Sequence, residues 1–292
     1  MGRAAGCGDL QAARTRCHTL DVDDVYRDLA ADYEWLFADE IIGGQGEFGA
    51  TSPGSRALLE GVLGALQPGA PVLDCSCGIG ADAMALARRG FAVTASDGSA
   101  GMVAETRRRS AQHDVAVAVC QSDWRDLSRQ VPGPFDLVVC LGNSIVHADT
   151  RAGLVDAVQG MRAVLGPGGT LVVDSRNWER LYSLRPRIVP ARRVIGRRGL
   201  RCSSLYIWTI PDELDEPCRA EIVLLFEDAD SALTGHRRHV IDFRPFRHEE
   251  LTSAIRSAGF VIRGDSYEAD SPFYAVAATA EGRLPPWPQQ RR

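Results

Sequence analysis

Two carboxylates and the glycine turn between them are the residues of this chain best suited to hold a ligand. Asp74 ends a short apolar run, and the turn 75–80, Cys-Ser-Cys-Gly-Ile-Gly, leads into a helical pattern. About 20 residues further on, Asp97 ends a second apolar run. In a βαβ unit both acids reach one edge of the sheet, where Gly78 and Gly80 let a ligand approach the backbone and Asp97 can accept from a ribose hydroxyl. The pattern predicts a site for a nucleoside-bearing cofactor.

The chemistry of the turn favours a cationic cofactor over a dinucleotide. Residues 78–83, Gly-Ile-Gly-Ala-Asp-Ala, satisfy the dinucleotide pattern G-x-G-x-x-G/A. However, Asp74 would face the pyrophosphate of NAD, an unfavourable approach of like charges. Asp123 and Trp124 follow the third apolar run, where a carboxylate and an indole can bind and stack on adenine. S-adenosylmethionine (SAM) carries adenine, ribose, an ammonium and a sulfonium, so it suits these acids better than NAD.

The elements that must position these residues alternate between short apolar runs and helical periodicity. This alternation from residue 71 to residue 174 is typical of a doubly wound parallel α/β sheet, with all strand ends at one edge. The predicted strands are 72–74, 92–96, 115–121, 136–141 and 170–174, and the predicted helices between them are 82–89, 99–111 and 151–164.

The strings at these strand ends resemble class I SAM-dependent methyltransferases. Residues 74–80 and Asp97 are similar to the first two motifs of that superfamily. Three further strings resemble the glycine/sarcosine N-methyltransferase family: 121–125 (Gln-Ser-Asp-Trp-Arg), 140–144 (Cys-Leu-Gly-Asn-Ser) with His147, and 174–178 (Asp-Ser-Arg-Asn-Trp). The resemblance implies a Rossmann-like seven-stranded sheet, SAM as cofactor with S-adenosylhomocysteine as product, and methylation of a small amine.

The resemblance also implies roles for individual residues. Asn143 would touch the amine of the acceptor, Arg176 would clamp its carboxylate, and Tyr33 would fold over the site. For Trp124, Met102 and His147, a place in the core or a structural contact is the alternative. The residues implied to bind the cofactor are Asp74, Gly78, Gly80, Asp97, Gly98, Met102, Asp123, Trp124, Leu141, Gly142 and His147.

Patterns outside the central region predict further parts of the molecule. Two helices, over 22–37 and 55–66, precede the first strand, and an alternating region predicts an antiparallel insertion that covers the site as a lid. A helix at 248–258 and a hairpin of strands 260–266 and 273–279 complete the sheet. We expect a disordered leader at 1–20, a helical cap at 21–68, the cofactor-binding core at 69–177, the insertion at 178–246, the helix and hairpin at 247–282 and a disordered tail at 283–292.

Composition limits the partners and the compartment. The net charge of −5 gives no reason to expect nucleic-acid binding, and no apolar run reaches membrane-spanning length. Eight cysteines without a CxxC pair fit a reduced, cytoplasmic protein, and the Cys-Ser-Cys of residues 75–77 has poor spacing for a metal. The arginine-rich stretch 185–201 is more typical of a solvated loop than of a partner surface. We expect a small-molecule amine as partner and no metal. The sequence does not decide whether the protein forms a homo-oligomer.

Three other functions remain open at this stage. A methyltransferase for the amine or hydroxyl of a larger natural product would set its selectivity in the insertion, where the resemblance fades. A NAD-dependent oxidoreductase would use the glycine turn for a dinucleotide, and an inactive homologue would bind SAM without turnover. The sequence identifies neither the acceptor nor the number of methyl groups transferred.

Overall fold

The computed structural model describes residues 22–37, 53–191 and 193–280. Within them, one sheet is formed by seven strands: β1 (Pro71–Asp74), β2 (Ala92–Asp97), β3 (Ala118–Gln121), β4 (Phe135–Cys140), β5 (Leu165–Arg176), β11 (Phe260–Asp265) and β12 (Phe273–Ala280). Their order is β11-β12-β5-β4-β1-β2-β3. The five strands from β1 to β5 run parallel to one another, whereas β12 is antiparallel to both β5 and β11. The predicted doubly wound α/β fold with a closing hairpin is confirmed.

Helices cover both faces of this sheet because its central strands are apolar on both sides. Leu73, Val138 and Val173 belong to one buried cluster, and Val72, Val139 and Val172 belong to the other. The flanking helices are α1 (Val22–Ala30), α2 (Pro53–Leu63), α3 (Ala81–Arg88), α4 (Ala100–Gln112), α5 (Leu127–Gln130), α6 (Arg151–Ala163), α7 (Trp178–Leu184) and α8 (His248–Ser257).

A second, antiparallel sheet is formed by the insertion. Its strands are β6 (Ile188–Pro190), β7 (Ile195–Arg197), β8 (Leu200–Thr209), β9 (Cys218–Glu227) and β10 (Leu233–Phe243). The order is β10-β9-β8-β6, and β7 also pairs with β8. This confirms the predicted antiparallel insertion, which we call the lid sheet. Helix α7 and the short strands β6 and β7 were not expected from the sequence.

The predicted helix over 22–37 is wrong in its second half. Helix α1 ends at Ala30, and a 3₁₀ turn over Tyr33–Leu36 follows. The break places the Asp32 and Glu34 side chains, both buried, against arginines of other elements, and these tertiary contacts compete with continuation of the helix. The predicted third strand is also shorter than expected: it begins at Ala118 rather than at residue 115.

Several predictions fall on residues outside those described. They are the leader at 1–20, the tail at 283–292 and, within the predicted cap, residues 38–52. In the described ranges, no helix has the length and apolar character needed to cross a bilayer.

Candidate functional site

The turn between β1 and α3 is a backbone cradle at the carboxyl-terminal edge of the sheet. Gly78 and Gly80 both have positive φ, 52° and 83°, which glycine adopts without strain. At Gly80 a Cβ would lie 2.7 Å from Cγ2 of Thr106, so any larger residue would force Thr106 to move. Thr106, on α4, also donates from Oγ1 to the Gly78 carbonyl over 2.7 Å. Thr106 therefore holds the turn on its α4 side. At Gly78, a Cβ would come within 4.0 Å of only one neighbour in the described chain, the ring of Tyr33.

Asp97 organises the same turn from the end of β2. Its Oδ2 accepts from the Gly78 N–H over 2.9 Å, and its Oδ1 accepts from the Ser99 N–H over 2.9 Å. These bonds hold the glycine turn against the start of α4, whose N-cap is Ser99. Asp97 therefore fixes both the glycine turn and the start of α4 at this edge of the sheet. The expected ribose contact of Asp97 stays a prediction that this geometry supports.

Four carboxyl groups lie near one another at this edge and disfavour one another's ionisation. Burial, and then the charge of Asp82, raise the pKa of Asp74 well above its ordinary value, and Asp97 and Asp174 add smaller contributions. Burial, with a further contribution from Asp82, raises the pKa of Asp174 to about 7. In the described part of the chain, no arginine pairs with Asp74 or Asp174. A bound cation would relieve this repulsion.

The two residues predicted to contact adenine both have partners within the protein. Trp124 donates from its indole N–H to the Cys75 carbonyl over 2.9 Å, so its polar atom ties the glycine turn to β3. Asp123 is bound by the Arg125 guanidinium, 2.9 Å away, which holds the pKa of Asp123 below its ordinary value. About half of the Asp123 side chain is exposed to solvent, so a ligand could still reach it. Both adenine contacts stay predictions.

Met102 and Gly98 lie on the same side of the turn. Met102 is buried in a small cluster with Ala30 and Ile79, against which Tyr33 also packs. Gly98 follows Asp97 and accepts from the Gln121 side chain through its carbonyl over 2.9 Å. Neither contact identifies a ligand, and the cofactor roles expected of both residues stay predictions.

The loop after β4 is joined to the end of β5 by a network of hydrogen bonds. The Asn143 N–H donates to Asp174 Oδ1 over 2.8 Å, and Asn143 Oδ1 accepts from the Arg176 N–H over 2.8 Å. Gly142 and Asn143 both have positive φ, 74° and 63°. The Leu141 carbonyl accepts from the Ser144 hydroxyl over 2.8 Å. This loop therefore holds residues 174 and 176 in place, and any contact it makes to cofactor or acceptor stays a prediction.

Arg176 ends β5 with its guanidinium among aromatic rings. Its Cζ lies 4.6 Å from the ring centre of Phe273, 5.3 Å from that of Trp208 and 5.9 Å from that of Trp178. Its Nε is buried without a hydrogen-bond partner, and within the described residues no carboxylate pairs with the side chain. Burial lowers the pKa of Arg176, and Tyr206 opposes that shift. The site thus presents a desolvated cation without its anion.

Tyr33 and His147 approach the site from the N-terminal segment and from the loop after β4. Tyr33 lies over Gly78, and burial together with the charges of Tyr206 and Asp97 raises its pKa. His147 Nε2 is hydrogen bonded to the Tyr26 hydroxyl over 2.6 Å, and burial lowers the pKa of His147 to about 4. A neutral His147 can take part in this bond as donor or acceptor. The structure thus gives His147 a partner in α1, and its expected contact with the cofactor stays a prediction.

Arginines of the lid sheet and of α4 hold the segment that carries Tyr33. Glu34 is buried and pairs with Arg109 over 2.7 Å and with Arg198 over 2.8 Å. Arg197 donates to the carbonyls of Glu34 and Phe37. We call residues 32–37 the cap segment. Arg197 and Arg198, within the arginine-rich stretch 185–201, therefore bind the protein's own cap segment, although most of the Arg198 side chain is exposed to solvent.

The residues at this edge fit SAM by their chemistry. The glycine turn offers backbone approach, Asp97 offers an acceptor for a ribose hydroxyl, and buried Asp74 and Asp174 suit a cationic group. In the described residues, His, Cys, Asp and Glu form no cluster of three or more that could hold a metal ion.

Sequence reasoning missed several residues that line the site. Asp174 was recognised only as part of a string, although it ends the predicted strand 170–174 as Asp74 ends 72–74, and Asp97 directly follows 92–96. Tyr206 and Trp208 alternate along β8 with a period of two, a signal for a shared face that does not reveal what the face covers.

Comparisons with known proteins agree with this geometry. A family model described as a methyltransferase domain matches residues 72–169. A glycine/sarcosine N-methyltransferase of Parasynechococcus marenigrum (strain WH8102) is 39% identical over 110 residues. That similarity covers 38% of this chain and 39% of the relative, so the chain matches about two fifths of the relative's length.

Solved structures match over much more of the chain at lower identity. The CcbJ methyltransferase from Streptomyces caelestis aligns with a TM-score of 0.65 and 21% identity, over 88% of this chain and 98% of that one. SAM-bound CalS10, an amino pentose methyltransferase from Micromonospora echinaspora, aligns with a TM-score of 0.60 and 22% identity, over 81% and 93%. The fold is that of class I SAM-dependent methyltransferases, as predicted.

Proposed function

Because residues 72–169 carry a methyltransferase domain within a class I methyltransferase fold, we propose that this protein is a SAM-dependent N-methyltransferase. Its acceptor is a small molecule that bears an amine and a carboxylate, as in glycine or sarcosine. The domain match and the acidic glycine turn support the choice of methyl donor. The sequence similarity to a glycine/sarcosine N-methyltransferase supports the choice of acceptor.

The observation that carries the acceptor class is the unpaired Arg176. A guanidinium with a buried, unpartnered Nε has lost hydration without gaining an anion in return. A planar carboxylate restores both the charge balance and the hydrogen bonds, and it can bind by two parallel bonds. Cation–π contacts position the guanidinium before a carboxylate binds. The rings that make them belong to Trp178, Trp208 and Phe273.

The residues of the chain then act mainly by positioning. Bound at the glycine turn, SAM supplies an electrophilic methyl group on a sulfonium. Arg176 fixes the carboxylate of the acceptor. Asn143 holds the backbone of Arg176 in position, because its Oδ1 accepts a hydrogen bond from the Arg176 N–H. The cap segment and the lid sheet cover the site and exclude water. Alignment of the amine with the methyl group provides most of the rate gain, so no nucleophilic side chain is needed.

A methyltransferase for the amine or hydroxyl of a larger natural product is the second candidate. The match to the glycine/sarcosine enzyme covers only 38% of this chain, whereas CalS10, an amino pentose methyltransferase, aligns over 81%. That larger coverage includes part of the chain beyond the methyltransferase domain, where selectivity for the acceptor would be set.

A mass-spectrometric screen distinguishes the two candidates. Purified protein is incubated with SAM and a panel of amino acids, amino sugars and aromatic amines, and products are scored for the gain of one methyl group. The proposal expects transfer to amines that carry a carboxylate, and loss of transfer when the carboxylate is replaced by its amide. Transfer to amino sugars that lack a carboxylate would favour the second candidate.

A further inference from the structure

Asp174 carries a buried carboxylate oxygen that nothing in the described protein satisfies. The residue is fully buried, and its Oδ1 accepts from the Asn143 N–H over 2.8 Å. Its Oδ2 is buried as well and has no hydrogen-bond partner. A buried carboxylate oxygen without a hydrogen-bond partner is unfavourable in a protein interior, so a group that binds it from outside the chain is the simplest reason for its retention.

The position of this oxygen relates it to the acceptor. Asp174 and Arg176 are two residues apart on β5, so their side chains leave the same face of the sheet about 7 Å apart. Asn143 bridges them, since its N–H binds Asp174 and its Oδ1 binds the Arg176 N–H. The separation of about 7 Å matches a small zwitterion that binds both side chains. Such a zwitterion has one or two carbons between its charged groups and makes a hydrogen bond of about 2.8 Å at each end.

The end of β5 and the start of α7 offer a matching set of unsatisfied donors. Arg176 Nε and Trp178 Nε1 are both buried without partners. The chain therefore presents one unsatisfied anionic acceptor and two unsatisfied donors along residues 174–178. An amino acid brings the complement of this set, an ammonium for Asp174 and a carboxylate for Arg176 and Trp178.

We propose that Asp174 Oδ2 binds the ammonium of the acceptor and takes one proton from it before methyl transfer. This inference rests on the function proposed above and makes Asp174 a catalytic residue. It also narrows the acceptor to a zwitterionic amino acid whose amine and carboxylate are separated by one or two carbons. Asn143 is then a positioning residue, because its carbonyl oxygen is already occupied by β5.

The proton balance of the step is simple. The acceptor enters as an ammonium and Asp174 as a carboxylate. One proton moves from nitrogen to Oδ2, which leaves a neutral amine with a free lone pair and a carboxylic acid. The nitrogen then forms its bond to the methyl carbon as the carbon–sulfur bond breaks, and the electron pair of that bond stays on sulfur. Asp174 returns its proton to solvent after the product leaves.

The surroundings of Asp174 suit this role. Asp82 on α3 raises its pKa, as burial does, while the N–H groups of Gly142 and Asn143 lower it. Asp74 at the end of β1 and Tyr33 in the cap segment also interact electrostatically with it. The net pKa of about 7 makes a proton acceptor that is ionised near neutral pH and still basic enough for general base catalysis.

The test compares Asp174→Asn with the wild type across pH. Asparagine keeps the oxygen that accepts from the Asn143 N–H and removes only the basic Oδ2, so the loop should stay in place. Asp265→Asn is the matched control, because Asp265 ends β11 and binds His248 outside the site. The probes are glycine and sarcosine, with acetate as a probe that has no amine.

We expect Asp174→Asn to lower kcat/KM at pH 7.5 by about 100-fold, since an alkylamine with a pKa of about 10 is then less than one per cent neutral. The deficit should shrink as pH rises toward 10, because the free amine then reaches the site without a base. In difference infrared spectra of the wild type without SAM, sarcosine binding at pH 6.5 should remove a carboxylic-acid band, because the bound ammonium stabilises ionised Asp174 and the proton moves only transiently ahead of methyl transfer. Acetate should not remove this band. Asp174→Asn should show no such band, and Asp265→Asn should behave as wild type.

Two kinds of failure are distinguishable. If the wild type binds SAM but methylates neither probe, the proposed acceptor fails. If the wild type is active and Asp174→Asn has the same pH profile, or a deficit that stays constant up to pH 10, the role of Asp174 is overturned while the proposed function stands.

Discussion

At the scale of the residue, the chemistry of the site depends on charges that lack partners. Asp74, Asp174 and Arg176 are held in low-dielectric surroundings, and the described chain supplies no opposite charge for any of them. Natural proteins rarely retain such groups without a purpose, because each one lowers stability. The proposed cationic donor and zwitterionic acceptor would together supply opposite charges to all three.

Arg176→Lys tests the carboxylate clamp. We expect the KM for the acceptor to rise about 10- to 100-fold, since a lysine loses the paired, charge-assisted hydrogen bonds of the guanidinium. The SAM dissociation constant should change little, because Arg176 does not line the glycine turn. Steady-state kinetics and calorimetry measure the two quantities. Arg219→Lys, on the outer part of the lid sheet, is the matched control. An equal loss of affinity for SAM and acceptor would refute the clamp.

His147 makes the stability of the fold depend on pH. Burial holds the pKa of His147 at about 4, below the 6.5 of an ordinary histidine. Between these values the unfolded chain binds a proton that the folded chain does not, so stability falls as pH decreases from about 6.5 to about 4. We expect the wild type to lose about 3 kcal/mol of unfolding free energy relative to His147→Gln over this range. Denaturant unfolding of both proteins at pH 7 and pH 4 gives the difference, and a constant value would contradict this origin.

At the scale of the element, two segments determine whether the site exists: the glycine turn and the cap segment. The turn needs left-handed backbone at Gly78 and Gly80, and Thr106 leaves no room beside Gly80. The cap segment carries Tyr33 over this turn and is held by ion pairs from α4 and the lid sheet. Both segments are short, and both owe their shape to contacts with distant parts of the chain.

Gly80→Ala should damage the cradle. A left-handed alanine costs about 1–2 kcal/mol, and the clash with Thr106 adds to this. We therefore expect a lower melting temperature and weaker SAM binding. Gly61→Ala is the control, because Gly61 lies within α2 with no atom within 4 Å of its added Cβ, and alanine there should be neutral or stabilising. Unchanged SAM affinity in Gly80→Ala would show that the ligand does not use this turn.

Glu34→Gln should loosen the cap segment. Glu34 and Arg109 form a buried ion pair, and Arg109 also pairs with Glu105, so Glu34→Gln weakens one charge-assisted contact of Arg109 and should cost about 1.5–3 kcal/mol. We expect faster SAM dissociation as well as lower stability, since Tyr33 is carried by the adjacent residue. Glu60→Gln breaks the solvent-exposed pair with Arg89 and should cost less than about 1 kcal/mol. Similar losses in the two variants would exclude a specific role for the cap.

At the scale of the whole molecule, the sequence determines the central sheet more clearly than its covers. Strands such as β4 are buried on both faces, so their apolar runs are continuous and easily recognised. Their polar ends, Asp74 and Asp97, therefore indicated the functional edge. By contrast, β6 consists of three exposed residues that pair with β8 through the backbone. Its side chains show no alternation of buried and exposed positions from which a strand could be predicted.

Other features could not be predicted because they depend on partners far along the chain. The helix at 22–30 stops where Asp32 meets His239 and Arg237, which lie in the last strand of the lid sheet. The roles of Arg197 and Arg198 likewise depend on the fold of the cap segment. The unsatisfied oxygen of Asp174 becomes visible only when the loop at Asn143 is in place.

The central claim is that the acidic glycine turn binds a cationic nucleoside, and a calorimetric titration of the purified protein with SAM tests it most directly. We expect saturable binding with one SAM per chain, weakened by Asp97→Asn, and no detectable heat from NAD at the same concentrations. Saturable binding of NAD, or the absence of SAM binding by a folded protein, would contradict the account.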